Sequence, residues 1–200
     1  FLNAISSAKD ELMDPVAFEL SAVGDYNRQR QAKVYREYQA ALKKNNALDF
    51  DDLIMKTVEL FRADAEVLDY YQERFRYIMV DEYQDTNPIQ EGLIECIKRD
   101  NNVFMVGDIK QSIYRFRQAD PTIFLRKFHA YAKPSKASVR IDLNRNFRSA
   151  KPIIEGVNRI FETIMLEDYG GIAYDDKSAL EFGNLNLSHL EDDVEIMLIE

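Results

Sequence analysis

The chain has 200 residues, a net charge of −9 and a single cysteine, Cys96. One cysteine excludes a disulfide framework and argues against a zinc site. No apolar run approaches the ~20 residues that cross a bilayer, and no signal-peptide pattern follows Phe1. We therefore expect a cytoplasmic protein without membrane contact, large enough for one or two domains.

The charge is unevenly distributed along the chain. The acidic total argues against binding of nucleic acid by the whole surface. However, residues 98–151 carry 13 Lys or Arg side chains against four Asp, whereas residues 152–200 carry two basic against 12 acidic side chains. A basic block of this kind is typical either of a phosphate-binding surface or of a solvated charged face, and composition leaves both open.

Residues 1–74 predict a run of helices. Residues 26–44 contain no Gly or Pro and repeat apolar side chains at helical spacing, which indicates one long helix. The segment 48–53, LDFDDL, opens the next helix, and a further helix is expected over residues 65–74. Capping and the positive end of the helix explain the three clustered aspartates more economically than a metal site does.

The stretch at residues 77–87 carries the most information. Four strand-favouring residues, 77–80, run into the adjacent carboxylates Asp81 and Glu82, and Pro88 then starts a helical pattern. The unbroken apolar run predicts a strand buried on both faces, with the acids at its carboxyl end, where open α/β sheets bind ligands. The acids either hold Mg²⁺ and orient a water or cap the next helix, and the local pattern permits both.

A second short apolar run, residues 103–106, predicts a strand that ends at Gly107 and Asp108. Strand, helix, strand is the rhythm of a parallel sheet, so both sets of polar residues belong on the same edge. Residues 111–117 follow, and we expect a single helix there. Its aromatic and basic side chains are those that stack on bases and contact phosphates, although a helix with core aromatics has the same composition.

The remaining segments predict further regular structure. A helix is expected from Asp120, and residues 133–138 form a polar link suited to a domain boundary. Alternation predicts a strand over residues 139–143, and a helix is expected over residues 151–165. Residues 194–199 predict a last strand.

Three motifs in this order resemble those of UvrD/PcrA-type superfamily 1A DNA helicases. Residues 80–87, VDEYQDTN, resemble motif II; residues 106–117, VGDIKQSIYRFR, resemble motif III; and residues 143–149, LNRNFRS, resemble motif IV. The segment 48–53 matches the one that precedes motif II in the family. Within the family, residues 104–111 and 117–121 are most similar to the AddA/RexA helicase–nuclease subunit.

The resemblance implies an α/β fold, with a partial RecA-like parallel sheet of the P-loop NTPase type flanked by helices. It also implies ATP and Mg²⁺ as cofactors. Asp81 and Glu82 would hold the metal, and Glu82 would activate the attacking water. Gln111 would sense the γ-phosphate, and Arg148 would act as an arginine finger on the same nucleotide. The residues that would contact single-stranded DNA are Tyr114, Phe116 and Arg117.

The same resemblance divides the chain into parts of larger domains. Residues 1–46 would belong to the helical 1B insertion, residues 47–133 to the carboxyl-side part of RecA-like domain 1A, and residues 137–200 would begin domain 2A. The sequence contains no Gly-x-x-x-x-Gly-Lys-Ser/Thr P-loop. We therefore expect an internal fragment that hydrolyses no ATP by itself.

The full-length protein would be an ATP-driven translocase on single-stranded DNA. It would act at double-stranded DNA ends in break repair and recombination, with a second subunit of the AddB/RexB type. Two alternatives stay open: a UvrD/PcrA-type repair helicase without nuclease, and a non-catalytic RecA-like scaffold. The intact set of Asp81, Glu82, Gln111 and Arg148 favours an enzyme, because a scaffold has no need of all four.

Overall fold

The computed structural model describes residues 1–112, 118–166, 174–175 and 178–187. Contacts divide the chain into two compact units, Phe1–Val139 and Arg140–Glu200. The division falls directly after the polar link at residues 133–138. Assignment of these parts to domains 1A, 1B and 2A stays a prediction.

Three helices open the first unit: α1 (Leu2–Asp10), α2 (Pro15–Ser21) and α3 (Tyr26–Lys44). The long helix predicted over residues 26–44 is therefore confirmed. Aspartates start the last two helices, because Asp14 and Asp25 each accept a hydrogen bond from a backbone N–H of the first turn. The apolar faces meet in one core, formed by Ile5, Ala8, Phe18, Ala32 and Tyr35.

Helices α4 (Phe50–Ala63) and α5 (Ala65–Arg74) follow almost without a break. A capping box starts α4: Asp49 accepts a hydrogen bond from the N–H of Asp52 at 2.8 Å, and Asp52 accepts one from the N–H of Asp49 at 3.4 Å. Asp64 ends α4 and caps the first turn of α5. The capping interpretation of the aspartate cluster is confirmed.

Strands β1 (Ile78–Val80) and β2 (Val103–Met105) pair in parallel, and α6 (Pro88–Ile97) connects them along the chain. Ile78 lies opposite Val103 in the register. The predicted βαβ unit is confirmed, and the carboxyl ends of both strands lie at the same edge of the sheet. The residues that follow the two strands are therefore brought together.

One face of this two-stranded sheet is open. Met79 is 79% exposed, and its partner on β2, Phe104, is 59% exposed. The prediction of a strand buried on both faces is therefore wrong. A strand is covered on both sides only when a layer packs against each face, and in the described ranges no layer covers Met79.

The remaining elements are one helix in the first unit, and two short strands and one helix in the second unit. Helix α7 (Pro121–Ala130) belongs to the first unit. In the second unit, β3 (Arg145–Asn146) pairs in parallel with β4 (Glu181–Phe182), and α8 (Lys151–Ile164) contacts β4. The mixture of helices and short parallel sheets confirms the α/β class. Across the described ranges, no helix combines the length and apolar composition that a membrane crossing requires.

The strand predicted over residues 139–143 is wrong. Its alternating apolar side chains, Val139, Ile141 and Leu143, are 64%, 74% and 88% exposed and join no ladder. The observed strand begins at Arg145, two residues after the predicted strand ends, because that is where β4 supplies a partner for its backbone groups. The strand predicted at residues 194–199 lies outside the described residues.

Candidate active site

The two acids at the edge of the sheet occupy a tight turn directly after β1. Asp81 and Glu82 are both exposed. Asp81 Oδ1 accepts a hydrogen bond from the N–H of Glu82 at 2.9 Å, and Glu82 has left-handed backbone geometry with φ of 51°. A non-glycine residue in this region carries a conformational cost of about 1–2 kcal/mol. The turn therefore combines a conformational cost at Glu82 with two carboxylates that both face solvent.

The acids do not cap the following helix. Asn87 caps α6, accepting from the N–H of Gln90 at 3.0 Å, while Gln90 Oε1 accepts from the N–H of Asn87 at 3.1 Å. Glu82 precedes a 3₁₀ turn, Tyr83–Asp85, without making a side-chain cap. Capping of α6 is therefore not the reason for the acid pair.

The turn that carries the acids is anchored by Tyr83. The buried Tyr83 hydroxyl donates a hydrogen bond to Glu91 of α6, and Lys127 of α7 lies 2.8 Å from the other Glu91 oxygen. Burial and the hydrogen bond to Glu91 raise the pKa of Tyr83 above its ordinary value. Contacts from α6 and α7 therefore both anchor the turn that presents the acids.

The second polar group follows β2. Asp108 caps a 3₁₀ turn, Ile109–Gln111, by accepting from the N–H of Lys110 at 3.1 Å. Burial disfavours the charge of Asp108. The Lys110 ammonium, 2.8 Å from Oδ1, and the Gln111 amide, 3.1 Å from Oδ2, outweigh that effect and lower the pKa of Asp108. The exposed Gln111 amide is therefore held at the edge of the sheet by a carboxylate.

Of the single helix predicted over residues 111–117, only residues 111 and 112 lie within the described ranges. The 3₁₀ turn ends at Gln111, and Ser112 has extended backbone geometry. Ser112 Oγ donates to the backbone carbonyl of Gln84 at 3.4 Å. The predicted DNA-contact residues, Tyr114, Phe116 and Arg117, lie outside the described residues.

A buried amide that the sequence analysis did not single out connects the two strand ends. Gln84 is only 1% exposed. Its Nε2 donates to Glu82 Oε2 at 2.7 Å, and its Oε1 accepts from the N–H of Asp108 at 2.9 Å. The sequence does contain one signal for this contact, which is Gly107. A Cβ there would lie 2.6 Å from Gln84 Oε1.

Asp81 and Glu82 suit a magnesium ion that arrives with a nucleotide. Mg²⁺ prefers oxygen ligands and is usually held by one or two carboxylates together with substrate phosphates and waters. The exposed oxygens of this pair meet that description. Within the described ranges, no group of three or more His, Cys, Asp or Glu side chains forms a metal cage.

Arg148 belongs to the second unit and is exposed. It follows β3, and its backbone N–H donates to Asn146 Oδ1 at 2.8 Å. Of the predicted site residues, the structure brings Asp81, Glu82 and Gln111 to one sheet edge within the first unit. Arg148 lies in the second unit.

Residues 1–132 match the UvrD/REP helicase N-terminal domain. The chain belongs to this family. UvrD/REP helicase N-terminal domains have a RecA-like helicase fold, which confirms the predicted fold class and explains the parallel sheet with polar residues at its carboxyl edge.

Three relatives illustrate the similarity within the UvrD/REP family. The AddA-type ATP-dependent helicase/nuclease subunit of Streptococcus pneumoniae (strain Hungary19A-6) is 46% identical over 151 residues, 76% of this chain and 12% of that protein. The protein of the same name from Alkaliphilus metalliredigens (strain QYMF) is 43% identical over 183 residues, 91% of this chain and 15% of that protein. The exonuclease/helicase subunit RexA of S. pneumoniae serotype 4 is 46% identical over 151 residues, 76% of this chain and 12% of that protein.

The similarity to the AddA/RexA subunit is therefore confirmed. The chain spans 12% to 15% of the length of these curated relatives.

Proposed function

We propose that this chain is part of an ATP-dependent DNA helicase of the AddA/RexA helicase/nuclease type. The observation that carries the proposal is that the Gln84 side chain makes hydrogen bonds with both Glu82 and Asp108 at one edge of a parallel sheet. In open α/β sheets that edge binds ligands. Motor proteins need a nucleotide site whose parts change contacts with nucleotide state, and two polar loops linked by one side chain suit that requirement.

In this proposal, Asp81 and Glu82 act where the metal ion and the attacking water bind. Asp81 would hold Mg²⁺, and Glu82 is the adjacent residue. When bound, the metal neutralises charge that develops on the phosphates. Glu82 orients the attacking water and accepts its proton, a step that a carboxylate in hydrogen-bond reach of the water performs.

Gln111 and Arg148 complete the proposed nucleotide site. The exposed Gln111 amide contacts the γ-phosphate or the attacking water. Arg148 supplies positive charge to the transferring group as an arginine finger. Tyr114 and Phe116 stack on bases of single-stranded DNA, and Arg117 contacts the same strand.

The partners follow from the same proposal. The relatives are named as subunits of a helicase/nuclease, and such names imply a complex. We propose single-stranded DNA and double-stranded DNA ends as substrates and a second subunit of the AddB/RexB type as partner. The names favour this assignment over a repair helicase without nuclease.

The test is a Glu82→Gln substitution in the full-length protein. We expect steady-state ATP turnover to fall by at least about 100-fold, because the amide cannot accept the proton of the water. Binding of a fluorescent ATP analogue is expected to change by no more than about threefold, since binding depends on contacts that Gln retains.

Glu19→Gln is the matched control for this test. Glu19 is an exposed glutamate of the first unit, paired with Arg36 at 3.0 Å on a different pair of helices. Wild-type turnover is expected for this variant. Substantial turnover in Glu82→Gln would remove Glu82 from the chemistry and contradict the proposed function.

A further inference from the structure

The Gln84 side chain spans the gap between the ends of β1 and β2. It is the only residue in the described part of the chain with side-chain hydrogen bonds to both Glu82 and Asp108, at 2.7 Å and 2.9 Å. Because only 1% of Gln84 is exposed, water does not replace either of these hydrogen-bond partners. A buried amide with both ends satisfied is a fixed connection and not a mobile surface contact.

The surrounding chemistry determines which way the Gln84 amide points. Its nitrogen faces two carboxylates, Glu82 at 2.7 Å and Asp85 at 3.4 Å, and its oxygen faces a backbone N–H. The flipped amide would place oxygen against carboxylate and N–H₂ against N–H, so both hydrogen bonds would be lost. The connection is therefore directional: Gln84 donates toward the acid pair and accepts from the loop that follows β2.

The loop after β2 closes around Gln84 from two sides. Ser112 Oγ donates to the backbone carbonyl of Gln84 at 3.4 Å. On the other side, a Cβ at Gly107 would lie 2.6 Å from Gln84 Oε1 and 3.1 Å from the Gln84 backbone nitrogen. Only glycine permits this approach without displacing the amide.

We propose that Gln84 is a positioning residue that orients the Glu82 carboxylate and ties it to the loop after β2. The proposal rests on the proposed function, in which Glu82 activates the attacking water. Two hydrogen bonds connect Glu82 to Asp108, whose carboxylate also holds Gln111 at 3.1 Å. A shift of this loop therefore reaches Glu82 through one side chain, without deforming the sheet.

Two substitutions in the full-length protein separate the two halves of the connection. Gln84→Glu retains an oxygen that accepts from Asp108, and in its ionised form, at alkaline pH, it loses the donor to Glu82 and adds a like charge beside it. Gln84→Leu loses both hydrogen bonds. We expect both variants to lower kcat for ATP hydrolysis by about 10–100-fold, the usual effect of removing a partner that orients a working group. The KM for ATP is expected to stay within about twofold, because Gln84 itself contacts no nucleotide in this proposal.

Hydrogen exchange in nucleotide-free protein gives a readout that is independent of activity. The Asp108 N–H donates to Gln84 Oε1. In Gln84→Leu this amide loses its acceptor, and we expect its exchange to accelerate by about tenfold. In Gln84→Glu a carboxylate oxygen replaces the amide oxygen, so the Asp108 peptide is expected to keep its protection.

Gln72 provides matched controls, because it is a partly buried amide of the same unit that lies outside the acid turn. Its Nε2 donates to the backbone carbonyl of Cys96 at 2.7 Å. Gln72→Glu and Gln72→Leu make the same chemical changes as the Gln84 pair. We expect wild-type kcat and wild-type exchange at Asp108 in both controls.

The outcomes separate the proposal from the proposed function. A wild-type kcat in Gln84→Glu overturns the positioning role. So does a rise in KM for ATP that by itself accounts for the lower ATPase activity of the Gln84 variants. An equal loss of kcat in the Gln72 variants overturns it as well. If Gln84→Leu does not fold, the kcat and KM values of the near-isosteric Gln84→Glu decide. Turnover that persists in Glu82→Gln instead overturns the proposed function itself.

Discussion

At the residue scale, Asp10 shows how burial alters a carboxylate outside the acid turn. Burial, with the nearby charges of Asp51 and Glu11, raises the pKa of Asp10 to about 6, against a smaller opposing effect of the Asn87 hydrogen bond. The folded state therefore binds a proton more tightly than the unfolded state. The stability that this proton contributes is fully present below about pH 4 and is lost as the pH rises through about 6.

Asp10→Asn is expected to remove this pH dependence. Asn keeps an oxygen that can accept from Asn87 Nδ2, which lies 3.1 Å from Asp10 Oδ1. At pH 7.5 the variant should be more stable than wild type by about 1 kcal/mol, after allowance for partial solvent screening. At pH 4 the two proteins should differ little. Thermal melts at both pH values provide the measurement.

The exposed Asp69, on α5, is the control position for the pH experiment. Asp69→Asn should change stability by the same small amount at both pH values. An Asp10→Asn variant that is no more stable than wild type at pH 7.5 would show that Asp10 carries no such penalty.

At the scale of elements, a buried ion cluster fastens α1 to α4. The fully buried Lys9 of α1 lies 2.6 Å from Asp49 Oδ2 and 2.9 Å from Asp52 Oδ1, at the start of α4. Tyr38 of α3 donates to Asp49 at 3.0 Å, and Gln39 donates to both oxygens of Asp52 at 3.1 Å. The two aspartates that cap α4 therefore also connect three helices.

Lys9→Met is expected to destabilise the first unit by about 3–5 kcal/mol. The substitution leaves two neighbouring carboxylates without their cation, and one of them, Asp52, is fully buried. Chemical denaturation of the wild type and variant gives the difference in free energy of unfolding.

Lys56→Met on α4 is the comparison for Lys9. Lys56 pairs with Glu59 at 2.7 Å, and its side chain is 39% exposed. Its loss should cost less than about 1 kcal/mol, because water replaces the partner of an exposed ion pair. Equal effects of the two substitutions would mean that the Lys9 cluster contributes nothing beyond an ordinary surface pair.

At the scale of the whole molecule, the arginine-finger role proposed for Arg148 can be tested by turnover. Arg148→Ala in the full-length protein should reduce ATP turnover by about 10³-fold, the lower end of the range for a lost arginine finger. Affinity for an ATP analogue should change by less than about fivefold, because a finger acts mainly on the transition state. A collapse of nucleotide affinity would instead make Arg148 a binding residue.

Arg145 is the matched control for Arg148. It lies three residues earlier on β3, and its side chain is 70% exposed and 3.6 Å from Glu181. Arg145→Ala removes one positive charge from the same strand region. We expect its turnover to stay within about twofold of wild type, as for most exposed ion pairs.

The sequence by itself determined the features that local physics controls. Helical spacing and the absence of Gly and Pro predict α3 over about residues 26–44, and a helix is also predicted over about residues 65–74; the observed bounds of α3 and α5 agree with both. The two apolar runs and the helix between them predicted a parallel pair with its polar residues at one edge, which the structure confirms. The helices and short strands depend on residues within about four positions of each other, and the parallel pairing follows from the order of these elements along the chain.

Only the tertiary structure decided how distant residues meet. Lys9 donates a hydrogen bond to Asp49, which is 40 positions away in the sequence. Gln84 accepts one from the backbone of Asp108, which is 24 positions away. Neither the burial of Lys9 nor the burial of Gln84 follows from residue spacing or composition. The same reason explains the errors at residues 139–143 and at Met79. A strand forms where a partner satisfies its backbone groups, and it is buried where another layer covers it. Both conditions depend on packing between distant segments, which no local pattern encodes.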